Sequence, residues 1–544
     1  MSSKVLTLLI TLWFCSHLHS QNTVGILSQE VSETYEGYNL LFPHNQSNVY
    51  LLDNCGQIVH SWEDDEEFRP GNSVFLLQNG DLVKCKRART SAVSNPIWAG
   101  GGGETVEIRT WENELLHSFT LNDSLFRLHH DVAPMPNGNI LMVAWENKNL
   151  EESIAAGRNP DLMSQDKVWS EVILEWNPGL DSIVWQWSAW DHLIQRYDAT
   201  KANFGQPNNH PELIDLNYDE VNGHPDWLHI NAIDYNPILD QIVLSVPHFN
   251  EFWIIDHNTT TEEAAGEEGD LLYRWGNPQA YDRGASGDKK LYFQHDVRWI
   301  DTNAVEGDED FGKISLFNNR LPDGKSSANI IHTMVDGQYQ LQNGRYLPED
   351  FERTLIYPET DTRAFSNALS SAQFLPNGNA LLLAGRWGFA YEITPQEEVV
   401  WNYIVPVKAG KAVEQGATLE VNNNITFRIE RYDLEYAAFE GRDLSPKGYW
   451  ELNPNEGFCG VVNVQNTIEN QATFTLFPNP ATTHIAIETK DGKPQSFEVY
   501  DVLGKRIHSF WSNQSIKTLD MTNWEKGIYF MVNEEGETQK LVVQ

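Results

Sequence analysis

The sequence predicts an all-β protein: a β-propeller over residues 21–455, with six blades expected, followed by a small β-sandwich over residues 472–544. Three observations predict it. A hairpin phrase with an Asn-Gly turn between two apolar runs recurs as FLLQNGDLV, ending at Val83, as MPNGNILMVAW from Met135, and as LPNGNALLLAG from Leu375. YNPILDQIVLSV from Tyr235 is a looser copy. A second phrase, a turn and then a strand ending in Trp, alternates with the first: Asn54–Trp62, Asn177–Trp187, Glu268–Pro278 and Thr394–Pro406. The third observation is the tryptophan count, 19, set among short β-branched runs.

Two alternating hairpins make a four-stranded module, and a series of such modules is the signature of a propeller. A set of sandwiches is the alternative, but the phrases keep one order along the chain. The recurring Trp62, Trp187, Trp275 and Trp401 are expected to pack between blades. The polar inserts Asn147 to Lys167 and Tyr197 to Pro225 are expected as loops on one face.

Bulk properties bound the function. With 544 residues and 40% hydrophobic content, the chain can bury a large core. The net charge of −39 argues against nucleic acid or an anionic membrane as partner, and an anionic substrate would need a locally positive pocket. The N-terminus carries one Lys, an apolar run from Val5 to Cys15 and small polar residues to Ser20, the pattern of a signal peptide over residues 1–20. No other run is long enough for a membrane span. Beyond it lie Cys55, Cys85 and Cys459; sequence leaves their connectivity open, and Cys55–Cys85 is the expected pair because both flank one hairpin region.

Three strands carry histidine near an apolar start: LHHDVAPM from Leu128, LHINAIDY from Leu228 and LYFQHDVRWI from Leu291. The innermost strands of a propeller line its channel, so polar groups at equivalent positions converge there. Aligning Asp131, Asn231 and Asp296 places His129, His229 and Gln294 together, and His130 with His295. Strand alternation then sends the two histidine classes to opposite faces, and which of His129 and His130 enters the channel stays open. Such a cluster suits a metal, general acid–base work or a histidine nucleophile. No local ligand motif is present, so neither a metal nor a cofactor is expected. The run Gly100 to Gly103 lacks the Lys-Ser/Thr pair of a phosphate loop.

After Pro454 a polar linker, expected at 456–471, leads to Phe477-Pro-Asn-Pro480, HIAIET from His484, VYDVLGK from Val499 and a closing GIYFMV and QKLVV. This stretch resembles the type A C-terminal sorting domain of the Bacteroidetes type IX secretion system. The resemblance implies export by that machinery through residues 472–544, with release or attachment at the cell surface.

The HHD phrase with PNGN after it, DWLHIN, FQHD, EFWIID, GDLLYRWGNP and GRWGFAYEITPQEEVVWNYIVP resemble the arylsulfotransferase family across most of the propeller. That resemblance implies transfer of a sulfo group from a small aryl sulfate to a phenol, without a nucleotide cofactor, through a transiently sulfurylated histidine. Carried over by motif, His295 would be the nucleophile. His229 and Asn231 would bind the sulfo group and assist proton transfer, and His129 or His130 would complete the pocket. The family has an arginine on the strand after HIN, where this chain has Pro247. A cation to replace it would come from His248, Arg298, Arg320 or Arg386; Arg320, Arg386 and Asp296 form the expected substrate-binding set, and Ser370 and Ser371 are channel-lining candidates. The alternatives are a propeller that only binds a ligand or partner, and a metal-dependent enzyme using the same histidines.

Overall fold

A computed structural model of the protein describes residues 22–91, 95–358, 360–456, 458–459, 474–489, 495–501, 505–522, 524, 526–533 and 538–543. The expected signal peptide lies outside them, as does the expected linker apart from Glu456, Phe458 and Cys459. The chain divides into two compact units after Cys459.

The first unit contains six antiparallel sheets built on four strands each, five in one case. Their leading strands are Phe68–Leu76, Phe126–Pro134, Ala232–Asn236, His295–Trp299, Ser371–Phe374 and Thr426–Tyr432. Each sheet packs on the next through these strands, and the last returns to the first, closing a ring. This is a β-propeller. Both ends of the unit secure the ring. Thr426–Tyr432 pairs with Tyr38–Pro43, so one sheet joins late and early chain, and Gly25–Gln29 adds an outer strand to the sheet before it.

The repeated phrases have local causes. In three blades the leading hairpin turns on Asn-Gly, and Gly80, Gly138 and Gly378 take φ of +91°, +85° and +85°. Only glycine adopts that region without strain, so these residues place the turns. The recurring tryptophans are buried and latch neighbouring blades. The indole N–H of Trp187 donates to the Gly269 carbonyl at 2.8 Å, that of Trp275 to Pro348 at 2.6 Å, and that of Trp401 to Asn54 at 2.8 Å. A second set of latches runs along the inner strands. Asp234 accepts the Trp299 N–H at 2.9 Å, and Asp296 accepts the Ala372 N–H at 2.8 Å. Each pairs a buried acceptor with a backbone donor of the next blade.

Two expectations need correction. Cys55 is bridged to Cys459, not to Cys85, which is free and buried. Cys85 lies on Leu82–Ala88, where it is packed among Val83, Val106 and Leu128 inside the sheet stack, whereas Cys55 lies in a turn that the end of the first unit passes. Nor is the insert after Asn147 all loop. The strands Ile140–Asn149 and Lys167–Asn177 extend into it, and helix Leu150–Ala155 between them is capped by Asn149 and Glu152 in a capping box.

In the second unit a three-stranded sheet (Phe474–Phe477, His484–Thr489, Ile516–Asp520) and a four-stranded sheet (Arg506–Ser512, Gln495–Asp501, Gly527–Asn533, Thr538–Val543) enclose Phe474, Ile487, Phe497, Met531 and Leu541. The sequence predicts turns at Asp491-Gly and Leu503-Gly between these strands, and both dipeptides fall outside the described residues.

Candidate active site: a histidine cluster on the inner strands

The histidine phrases sit where the inner strands depart from regular pairing. Val132 pairs with Met142 and Leu128 with Ala144, so His129, His130 and Asp131 all oppose Val143. His295 pairs with Phe317 and Arg298 with Ser315, another irregularity of the same kind. His130, His229 and Asp296 have φ of +51°, +59° and +55°. Bulges of this kind re-aim side chains. They resolve the register conflict, because period-two alternation fails at these residues and both histidine classes reach one cluster.

His130 and His229 lie at the centre, with ring centroids 4.5 Å apart. His248 stacks on His229 at 4.6 Å, and Phe293 stands 5.6 Å from His295 and 5.9 Å from His229. His129 lies behind His130, flat on Trp145 at 4.0 Å. Each ring is held at Nδ1. His229 meets Asp226 at 2.5 Å, His248 meets the Asp226 carbonyl at 2.8 Å, His295 meets Asn319 Oδ1 at 2.8 Å, and His130 meets His129 at 2.8 Å. The Nε2 atoms of His130, His229 and His248 have no protein hydrogen bond among the described residues. Gly101 keeps the first of these open: a Cβ there would lie 2.0 Å from it.

Burial dominates the electrostatics. It pushes His295 down to about 3 and His248 to about 4, and it drives His130 far below its usual value, reinforced by the surrounding imidazoles. These three are neutral rings near pH 7. Burial also works to raise Asp226, but His229 outweighs it and the carboxyl sits at about 2. Asp226 is therefore an ionised acceptor for His229 Nδ1–H.

The remaining expected residues divide. Asn231 is fully buried, and its amide donates to the Gln294 carbonyl at 2.9 Å, so its contact is with the backbone before His295. Asp296 is engaged away from the cluster, by Arg298 and Arg428 at 2.7 Å and by the Ala372 N–H. Arg298 is itself tied to Glu430 at 2.9 Å. Ser370 donates no side-chain contact to the histidines; its hydroxyl accepts from the Gly385 N–H, and Ser371 accepts from the Ile429 N–H. Arg320 lies over the Phe293 ring, 3.6 Å from its centroid, with Nε donating to the Asn367 carbonyl. Arg386 donates to Asn367 and Asn422. Neither arginine pairs with a carboxylate among the described residues, in a chain with 77 acids and 38 bases. A cavity of about 300 Å³ is lined by Glu220, Pro247, His248, Lys289, Phe293 and Arg320, with Lys289 paired to Glu220 at 3.1 Å. Pro247 thus stands at the cavity wall, and Arg320 is the lining cation without a carboxylate partner among the described residues.

A metal fits less well than an anion. Asp226, His229 and His248 offer ligand atoms within 4.8 Å of one another. Yet Asp226 Oδ1 already accepts from Trp145 Nε1 at 3.0 Å and Oδ2 from His229 at 2.5 Å, so an ion would share an oxygen that is already hydrogen-bonded.

Sequence reading missed Asp226, Asn319, Glu171 and Leu369. Asp226 was visible three residues before His229. The others come from a different strand or blade, and no local spacing marks them.

The fold and this cluster define a propeller with a buried histidine centre beside a cavity lined by His248 and Arg320. Residues 23–428 match the arylsulfotransferase (ASST) family, and the chain belongs to it. Its general function is arylsulfotransferase-like. Residues 475–544 match the secretion system C-terminal sorting domain, which marks the protein for type IX export to the cell surface or medium. No helix among the described residues is long and apolar enough to cross a membrane. No curated protein matches the chain. Solved structures with some likeness include a protein of unknown function from Bacteroides caccae, 10% identical with TM-score 0.38, covering 68% of this chain and 94% of that one. A protein of unknown function from Dyadobacter fermentans is 12% identical with TM-score 0.33, over 63% of this chain and 84% of that one. A streptogramin B lyase is 9% identical with TM-score 0.33, over 76% of this chain and 96% of that one.

Proposed function

We propose that the protein moves a sulfo group from an aryl sulfate to a phenol through an N-sulfo intermediate on His295. The observation that carries this is the fixed tautomer of His295. Asn319 Nδ2 donates to the Ser366 and Leu369 carbonyls, both at 2.9 Å, so its Oδ1 must face His295. An oxygen acceptor there requires N–H at His295 Nδ1 and leaves a lone pair at Nε2. The ring is neutral, and among the described residues Nε2 meets only the Leu369 N–H at 3.1 Å. Leu369 and Ser370 hold φ of +61° and +94°, strained for residues with a Cβ, so that backbone donor is deliberately aimed.

In the first half-reaction His295 Nε2 attacks sulfur. The S–N bond forms, the S–O bond to the aryl group breaks, and the phenoxide takes a proton from the histidine cluster. The Leu369 N–H, freed from Nε2, turns to a sulfo oxygen. His229, backed by the Asp226 carboxylate, can carry an Nε2 proton toward another sulfo oxygen. The aryl ring lies against Phe293, and Arg320 attracts the anion at the cavity. In the second half-reaction the acceptor phenol gives its proton to the cluster, its oxygen attacks sulfur and the S–N bond breaks.

The test is peptide mass spectrometry of the purified protein mixed with a chromogenic aryl sulfate. A sulfo adduct on the His295 peptide, with phenol release, is expected in the wild type and absent in His295→Ala. Neither release nor adduct across several donors would favour a binding propeller instead.

A further inference from the structure

We infer that Glu171 is a positioning residue that, through His129, lets the neutral His130 ring give its Nε2 proton to the departing phenoxide and take one back from the acceptor phenol. The inference rests on the sulfo-transfer reading above. It concerns a buried carboxyl that the reaction so far leaves unused.

Glu171 lies on the third strand of the second blade, with its side chain fully buried. One oxygen accepts the Ile230 N–H at 3.0 Å, and the other meets His129 Nε2 at 2.7 Å. His129 Nδ1 meets His130 Nδ1 at 2.8 Å. The three groups therefore form one chain of two hydrogen bonds, ending at His130 Nε2 in the cluster.

Each bond in the chain holds one proton, so the tautomers are coupled. In the first state Glu171 is protonated and donates to His129 Nε2. His129 then donates from Nδ1 to His130 Nδ1, and His130 carries its proton at Nε2. In the second state the Nε2 proton has left His130. The His129 Nδ1 proton has moved to His130, the Glu171 proton has moved to His129, and the negative charge rests on Glu171. Neither ring is ever charged. A neutral imidazole alone is far too weak an acid for this step; coupled to Glu171, its loss of a proton leaves the charge on a carboxylate instead of an imidazolate. Over the two half-reactions one proton leaves and one returns.

The surroundings favour the first state at rest. Burial and the Asp226 charge push the Glu171 carboxyl well above its usual range. Burial drives His129 well below its own, with His229 and Arg127 acting in the same direction and Asp226 against it. Trp145, stacked on His129, holds the ring in the plane that both bonds need. The HHD doublet is then a division of labour: His130 faces the cluster and His129 links it to the acid.

The test compares the full-length wild type with Glu171→Gln on aryl sulfates whose leaving phenols span a range of acidity. Gln can donate to His129 and accept from Ile230, so it keeps the resting state but cannot take up charge. KM is expected to be unchanged. The kcat should match the wild type for the most acidic phenols and fall by about 100-fold for the least acidic. An equal loss across the series, or no loss, would overturn the proposal. Nitrogen NMR of labelled imidazoles in the unliganded wild type provides an independent reading, even if no aryl sulfate turns over. N–H at His129 Nδ1 and at His130 Nε2 is expected; N–H at His130 Nδ1 would refute the relay, whatever the activity.

Discussion

At the residue scale, burial keeps His130, His248 and His295 neutral. A free histidine titrates near 6.5, and His295 sits at about 3. The sign follows from linkage. Below pH 6.5 the unfolded chain takes up a proton that the folded chain refuses, so His295 costs stability as pH falls from about 6.5 toward 3. Between pH 7 and pH 5 the wild type is expected to lose about 2 kcal/mol more stability than His295→Gln. Denaturant unfolding of both proteins at the two pH values measures this, and parallel losses would show that His295 is not held neutral by the fold. The HHD, HIN and FQHD phrases identified most of the cluster from sequence. They did not reveal Asn319 at His295 Nδ1 or Glu171 at His129 Nε2, because both reach the histidines across strands and blades.

At the element scale, the bulged inner strands are the working parts. A regular strand would send His129 and His130 to opposite faces; the bulge at Val143 brings one to the cluster and keeps the other one bond away. The aspartates after the histidines serve the ring instead. Arg428, on the last inner strand, bridges Asp131 at 2.6 Å and Asp296 at 2.7 Å, so three inner strands meet in one buried network. Removing the cation leaves the buried Asp131 carboxylate without a counter-charge, while Asp296 keeps Arg298. Arg428→Met is expected to cost about 3–5 kcal/mol, read from denaturant midpoints. If the variant with Asp131→Asn and Asp296→Asn added were no more stable than Arg428→Met alone, charge would not be the cause. Asp296 looked like a substrate ligand from sequence because it adjoins His295. Its place in the network depends on Arg428, more than a hundred residues later in the chain.

At the scale of the whole molecule, closure of the ring dominates. The first unit is secured by its late strand in the sheet of its early strands and by the Cys55–Cys459 bridge, which spans 404 residues. A cross-link over so long a loop is expected to contribute about 2–5 kcal/mol. Cys55→Ser should lower the melting temperature in oxidising buffer, and reduction should lower the wild type to the same level. Identical melts, or a Cys55–Cys85 peptide on non-reducing digestion, would contradict this arrangement.

The sequence by itself determined the all-β class, the repeated hairpins, the interblade tryptophans, the sorting domain and the histidine phrases. Each of these rests on local chemistry: alternation, glycine turns, or a contiguous motif. Only the tertiary structure decided which cysteines pair, which nitrogen of each histidine is free, and which charges neutralise one another. Those outcomes depend on residues brought together by ring closure, where burial removes water and makes every unpaired proton or charge costly.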